Sequence, residues 1–212
     1  MKRWSILLAA GALGATPATA CSVVPGYRVP SNYELVEKAD LVVLARVVSG
    51  PALEALKDGD WGKAQIRLEP IRAIKGTLPA GPLSVAGYTS VAGQPAPRFP
   101  TPLHIAHPSA FMGACVRQQY AVGALVVAVF KRTGKQLHQE GSPFARSVED
   151  VEGLQGTWVR AADSYARIGA LPAKERPAAL EAEAKRLLAL SDDNAAPAIA
   201  ADMLETRDRL PE

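Results

Sequence analysis

Residues 64–72 read A-Q-I-R-L-E-P-I-R. Ala64, Ile66 and Leu68 alternate with Gln65, Arg67 and Glu69, and this period of two gives a strand one buried and one wet face. Pro70 removes a donor from the ladder, so an edge or a bulge is expected near it. Ile74-Lys75-Gly76 then turns the chain. Upstream, residues 39–48 (A-D-L-V-V-L-A-R-V-V) form a β-branched, mostly apolar run, expected to be a strand buried on one or both faces. Residues 50–62, with Pro51, Gly59 and Gly62, read as the connecting loop. Ser31-Asn32-Tyr33-Glu34 has the spacing of a capping box and predicts a short helix over Tyr33 to Lys38.

Downstream, Leu83 to Ala86 predicts a third strand and Ala121 to Phe130 a fourth. Gln136 to His138 predicts a fifth, after the Thr133-Gly134 turn. Residues 87–113 are rich in Pro and Gly and lack periodicity; a connection of that length is expected to be a mobile surface segment. From Val148 the period changes. Trp158, Ala162, Tyr165 and Ile168 recur at helical spacing with Gly169 as the stop. Leu180, Ala184, Leu187 and Leu188 make a second stripe. Ile199, Met203 and Leu204 make a third, with Ser191 as its expected cap. Strands followed by helices predict an α+β fold.

The first twenty residues have a different character. Lys2 and Arg3 precede a short apolar run, Ile6 to Leu13, and Ala18-Thr19-Ala20 has the small residues of a cleavage site. This is the pattern of a secretion signal, and Cys21 would be the first mature residue. The apolar run is shorter than the roughly 20 residues that span a bilayer. Cleavage leaves 192 of the 212 residues and, with Lys2 and Arg3 gone, lowers the formal charge from +3 to +1. No run of basic residues marks a nucleic-acid partner. The chain divides into a signal at 1–20, an ordered unit at 21–150 and a helical segment at 151–212. Its expected place is the periplasm or the exterior.

Cys21 and Cys115 are the two cysteines. Three readings of Cys21 stand side by side. In an oxidising compartment an isolated pair is expected to be a disulfide. That bond would restrict the unfolded chain by about 4–5 kcal/mol in the loop-entropy model. A lipid on Cys21 would instead anchor the chain to a membrane; Ala18 stands where such signals usually carry leucine. The third reading is two inert thiols.

Taken in order, these pieces resemble the netrin-like domains, the bacterial relatives of the tissue inhibitors of metalloproteinases. The matching residues are Cys21, Ala39-Asp40, Arg46-Val47, Lys75-Gly76, Cys115, Gly123 and Phe130, within residues 21–150. The resemblance implies a five-stranded OB-like Greek-key β-barrel, closed by strands near 39–48, 64–74, 83–87, 121–130 and 136–139, followed by a C-terminal helical segment. It also implies that a disulfide-bonded Cys21 could ligate the catalytic zinc of a protease through its free amine and carbonyl. The second cysteine that those inhibitors usually carry two residues later is replaced by Val23.

Catalytic alternatives rest on few residues. His104 and His107 form an H-x-x-H pair, which could share a metal on a helix, but Pro100, Pro102 and Pro108 surround it. Ser109 and Ser142 lack the G-x-S-x-G setting. Asp40 is expected to be a local cap, and Trp158 and Tyr165 core. No catalytic residue, resident metal or cofactor is expected. The sequence is thus read as an exported, non-catalytic binding module of the cell envelope, with a protein or envelope component as partner. The two alternatives are a metalloprotease inhibitor acting through Cys21 and a metal-dependent hydrolase using His104 and His107.

Overall fold

The computed structural model describes residues 23–57, 60, 62–89 and 100–210. The signal segment and Cys21 lie outside the described residues. The elements run α1 (Asn32–Lys38), β1 (Leu41–Ser49), β2 (Gln65–Lys75), β3 (Leu83–Ala86), β4 (Tyr88–Thr89), β5 (Gln119–Tyr120), β6 (Leu125–Thr133), β7 (Gln136–Gln139), β8 (Val148–Asp150), α2 (Thr157–Gly169), α3 (Arg176–Leu188) and α4 (Ala196–Arg209). The fold is α+β: an antiparallel sheet of six strands with four helices.

The sheet runs β3-β2-β1-β6-β7, with β8 also paired to β6. β2 is a central strand, and it carries its alternation as expected. Ile66 and Leu68 are fully buried while Gln65, Arg67 and Glu69 are exposed. Pro70 sits at a bulge. The register slips between Leu44, opposite Arg72, and Ala45, opposite Pro70, so the missing N–H falls where the ladder is already interrupted.

β1 and β6 are buried on both faces, which is why they read as continuous apolar runs. One face packs Val42, Leu44, Val127 and Val129 against Trp158, Tyr165, Leu180 and Met203 of the helices. The other gathers Leu41, Val43, Ile66, Leu68, Val126 and Phe130 into a second core inside the curl of the sheet. The helical segment therefore docks on the sheet. The bidentate Arg72–Asp163 pair (2.6 and 2.8 Å) ties β2 to α2. Lys75 Nζ donates to the carbonyls of Val36 and Glu37 at the end of α1, placing a cation where helix carbonyls gather. At the start of α1 both halves of the Ser31/Glu34 capping box are formed.

Gly76 turns β2 back with φ +79°, and a Cβ there would collide with the Asp40 carbonyl. Asp40 is the local cap expected of it: its carboxylate accepts from the Arg132 amide at 2.7 Å.

Four expectations are corrected. First, the described residues form no closed barrel. β3 and β7 stay unpaired as strands and are linked only where Gln139 Oε1 accepts from the Ala86 amide at 3.0 Å. Each of these strands pairs along its other edge, β3 with β2 and β7 with β6. Second, the fourth strand starts at Leu125 rather than Ala121, because residues 121–124 turn through Gly123 (φ +83°). Third, residues 100–113 are only partly surface: Leu103, Ala106, His107, Ser109 and Ala110 are buried, while Ile105, Phe111 and Met112 are exposed. Residues 90–99 of that segment lie outside the described residues. Fourth, Asp193, not Ser191, holds the start of α4, accepting from the amides of Ala195 and Ala196 at 3.1 and 3.2 Å.

Candidate functional site

The chemistry-bearing side chains gather where residues 100–120 cross the edge of the sheet at β8. Strand β8 has the sequence V-E-D, and both acids are buried. Buried carboxylates need partners, and two arginines supply them. Arg117 donates to Asp150 Oδ1 at 2.8 Å, to the Gln119 carbonyl at 3.0 Å and toward the Val148 carbonyl at 3.4 Å. Its guanidinium lies 4.4 Å above the centre of the Tyr120 ring, a geometry that attracts cations. Glu149 accepts from the His107 amide at 3.0 Å and from the Thr101 hydroxyl at 2.9 Å. Burial pushes the Glu149 carboxyl upward, against the opposing pull of Arg146 and Arg117.

His107 lies in the middle of this belt. Its Nδ1 accepts from the Ser109 amide at 3.2 Å, and the Ser109 hydroxyl lies 2.8 Å from the same nitrogen. An amide can only donate, so Nδ1 carries no proton and Nε2 does. That Nε2 makes no hydrogen bond; the nearest acid, Asp150 Oδ2, is 3.9 Å away. A serine, a histidine and an aspartate thus stand in line, but with the ring nitrogens reversed relative to the hydrolytic triad. The Ser109 oxygen is buried and also accepts, at long range, from the amides of Gln118 and Gln119 (3.4 and 3.5 Å). The arrangement pins residues 100–120 to β8.

Burial, aided by the nearby Arg117 charge, lowers the His107 pKa from 6.5 to about 3. The unfolded chain takes up a proton near pH 6.5 and the folded chain does not. Stability contributed by neutral His107 is therefore present above pH 6.5 and is lost as the pH falls toward 3. The expected slope approaches about 1.4 kcal/mol per pH unit well below 6.5. Urea unfolding between pH 7 and pH 5 checks this, and His107→Gln should flatten the dependence.

Outward from the belt opens a cleft of about 640 Å³ between the 28–32 segment, the 103–106 segment and α4. Arg28, Asn32, His104, Phe144, Arg146 and Asp202 line it. Arg28 pairs with Glu34 at 2.7 Å, and Arg209 at the rim pairs with Glu205. Asp202 accepts from Asn32 Nδ2 at 2.9 Å and from the Tyr165 hydroxyl; burial pushes its carboxyl upward. Arg146 forms the floor, with a side chain only 5% exposed.

Beside the cleft stands an apolar rim. Phe111 and Phe144 stack at 5.2 Å, and Phe111, Met112 and Ile105 are exposed by 57, 75 and 42%. The N-terminal segment runs to the same place: Tyr27 donates to the Pro143 carbonyl at 2.7 Å. Phe144 in turn donates from its amide to the Cys115 carbonyl at 2.6 Å. Cys115 and Phe144 both have left-handed backbones, φ +60° and +58°.

His104 and His107 are not brought together. His104 is exposed on the wall of the cleft, while both His107 nitrogens face the belt. Among the described residues no group of three or more His, Cys, Asp or Glu side chains could hold a metal ion. Arg117, Arg146, Glu149 and Asp150 escaped the reading of the sequence. Their one local signal is the run of charges around an apolar Val148, which gives no partner. No described helix is long and apolar enough to cross a membrane. No protein-family model matches the sequence, and a search of curated proteins returns no match.

Proposed function

We propose that the chain is an exported, non-catalytic binding module of the cell envelope, which engages a protein partner through the rim formed by Ile105, Phe111, Met112 and Phe144. The observation that carries this reading is the stacked Phe111–Phe144 pair beside a methionine that is 75% exposed. Exposed aromatics held rigid by stacking offer large contact area at little entropic cost, and methionine adapts to irregular surfaces. The test is the double substitution Phe111→Asp, Met112→Ser. Both side chains are exposed, so unfolding should shift only by the lost stacking on Phe144, about 0.5–1.5 kcal/mol. Association with the envelope fraction should be lost. Retained association by the folded double variant would remove the reading.

The fold behind this module is read as OB-like. The order β3-β2-β1-β6-β7, curled until Gln139 reaches Ala86, supports a Greek-key barrel left open at one seam. Export from the signal at 1–20 and a Cys21–Cys115 disulfide belong to the same proposal.

A second reading, inhibition of a zinc protease by the α-amine and carbonyl of Cys21, is favoured by one observation. The chain just behind Cys21 runs beside the loop that touches Cys115, through Tyr27–Pro143 and Phe144–Cys115. A disulfide there would fix an amine and a carbonyl on a rigid edge, able to fill an open position on zinc. Adding one alanine before Cys21 should abolish inhibition of any zinc endopeptidase that the mature protein inhibits. Inhibition that survives the addition would end this mechanism.

A further inference from the structure

Arg146 is held at one end and idle at the other. Its Nη1 donates to the Thr101 hydroxyl (2.6 Å), to the Pro102 carbonyl (2.8 Å) and to the Ile105 carbonyl. Glu149 lies 3.9 Å from the same nitrogen. Its Nε and Nη2 are buried and have no hydrogen-bond partner. These two nitrogens form one edge of the guanidinium, whose parallel N–H bonds match the two oxygens of a carboxylate. A third idle donor is close by. The guanidinium carbon lies 5.5 Å from the centre of the Trp158 ring, and the buried Trp158 Nε1 also lacks a partner.

Leaving buried donors unpaired is costly, more so where the group is charged. Two on Arg146, which lines a 640 Å³ cleft, with a third on Trp158 behind it, point to a missing acceptor. We propose that this cleft is a binding site for a small organic carboxylate, seated on the Nε/Nη2 edge of Arg146.

Charge selects the class. Arg28 and Arg209, the other arginines of the cleft, are already paired with Glu34 and Glu205. Asp202 and Glu205 line the same space. With one uncommitted guanidinium edge and two acids in the lining, a singly charged anion meets less repulsion than a doubly charged phosphate. The size suits a small molecule, since pockets for such ligands run from about 300 to 1,000 Å³. Because Nε and Nη2 are covered in the unliganded chain, entry requires a side-chain shift at the floor. Leu103 and Phe144, which line the cleft, are placed to make it. The inference goes beyond the partner-binding rim, which rests on different side chains apart from Phe144.

The test is a titration of the purified protein followed through the Arg146 Nε–H signal in a nitrogen–proton NMR spectrum. Acetate, benzoate, succinate and inorganic phosphate are added against sodium chloride at equal ionic strength. The expected result is a saturable shift of that signal with a monocarboxylate. Arg146→Lys, which keeps the charge and loses the edge, should weaken binding roughly tenfold or more. Trp158→Phe should weaken it less and leave the fold intact, so the proposal stays testable if the lysine variant does not fold. No saturable shift with any carboxylate, meaning that water alone satisfies these donors, would overturn the site. Tighter binding of phosphate than of any carboxylate would overturn the class of ligand.

Discussion

Replacing Asp150 by alanine should destabilise the protein by about 3–5 kcal/mol, the cost of leaving a buried charge without its partner. Asp150 and Arg117 are 4% and 2% exposed at their side chains and meet at 2.8 Å. With the carboxylate gone, Arg117 keeps two backbone carbonyls, the Tyr120 ring and the more distant Glu149, but loses its contacting counter-charge. Water cannot replace it at that depth. His107 also loses the only acid near its Nε2. The double substitution Asp150→Leu, Arg117→Met should recover much of the loss, because apolar residues of similar volume remove both charges together. Urea unfolding of the three variants reads both effects. A loss under about 1 kcal/mol for the single variant would show that the belt is open to solvent.

The second large effect lies in β2. Leu68→Ala should cost about 2–5 kcal/mol, through lost burial and the cavity left behind. Leu68 is fully buried in the core within the curled sheet. Its neighbour Arg67 points outward, so Arg67→Ala should change stability by no more than about 0.5 kcal/mol. Equal losses from the two would contradict the assigned faces.

The strand that decided the fold was legible because its signal is local. Gln65 to Glu69 alternate cleanly, and one face is wet. The stripe Trp158, Ala162, Tyr165, Ile168 was legible for the same reason, and all four are buried in α2. The capping box at Ser31 and Glu34 could be read because its partners are three residues apart. Leu188, expected in the second stripe, is instead 56% exposed as the last residue of α3.

The polar belt was not legible. Arg117 meets Asp150 across 33 residues of sequence and Arg146 meets Thr101 across 45. Only the Arg146–Glu149 approach is local, three residues apart; the hydrogen-bonded side-chain partners of the two arginines and two acids lie far away in sequence. β8 escaped for a related reason. A strand of three residues with two acids reads as a wet loop, and becomes a buried strand only when two arginines come to it. The seam of the barrel was equally out of reach. The sequence predicts five strands, but whether β3 and β7 meet depends on how far the sheet curls, which no local pattern encodes.

The most direct test of the binding module places a photo-crosslinking amino acid at Met112, and separately at Leu188, in the protein expressed in its own host. Both positions are exposed, by 75 and 56%, and they lie on different elements. Illumination should give a discrete adduct with one envelope protein from position 112 and none from position 188. No adduct from position 112, or the same adduct from both, would contradict the assignment of the Phe111–Phe144 rim as the surface that binds.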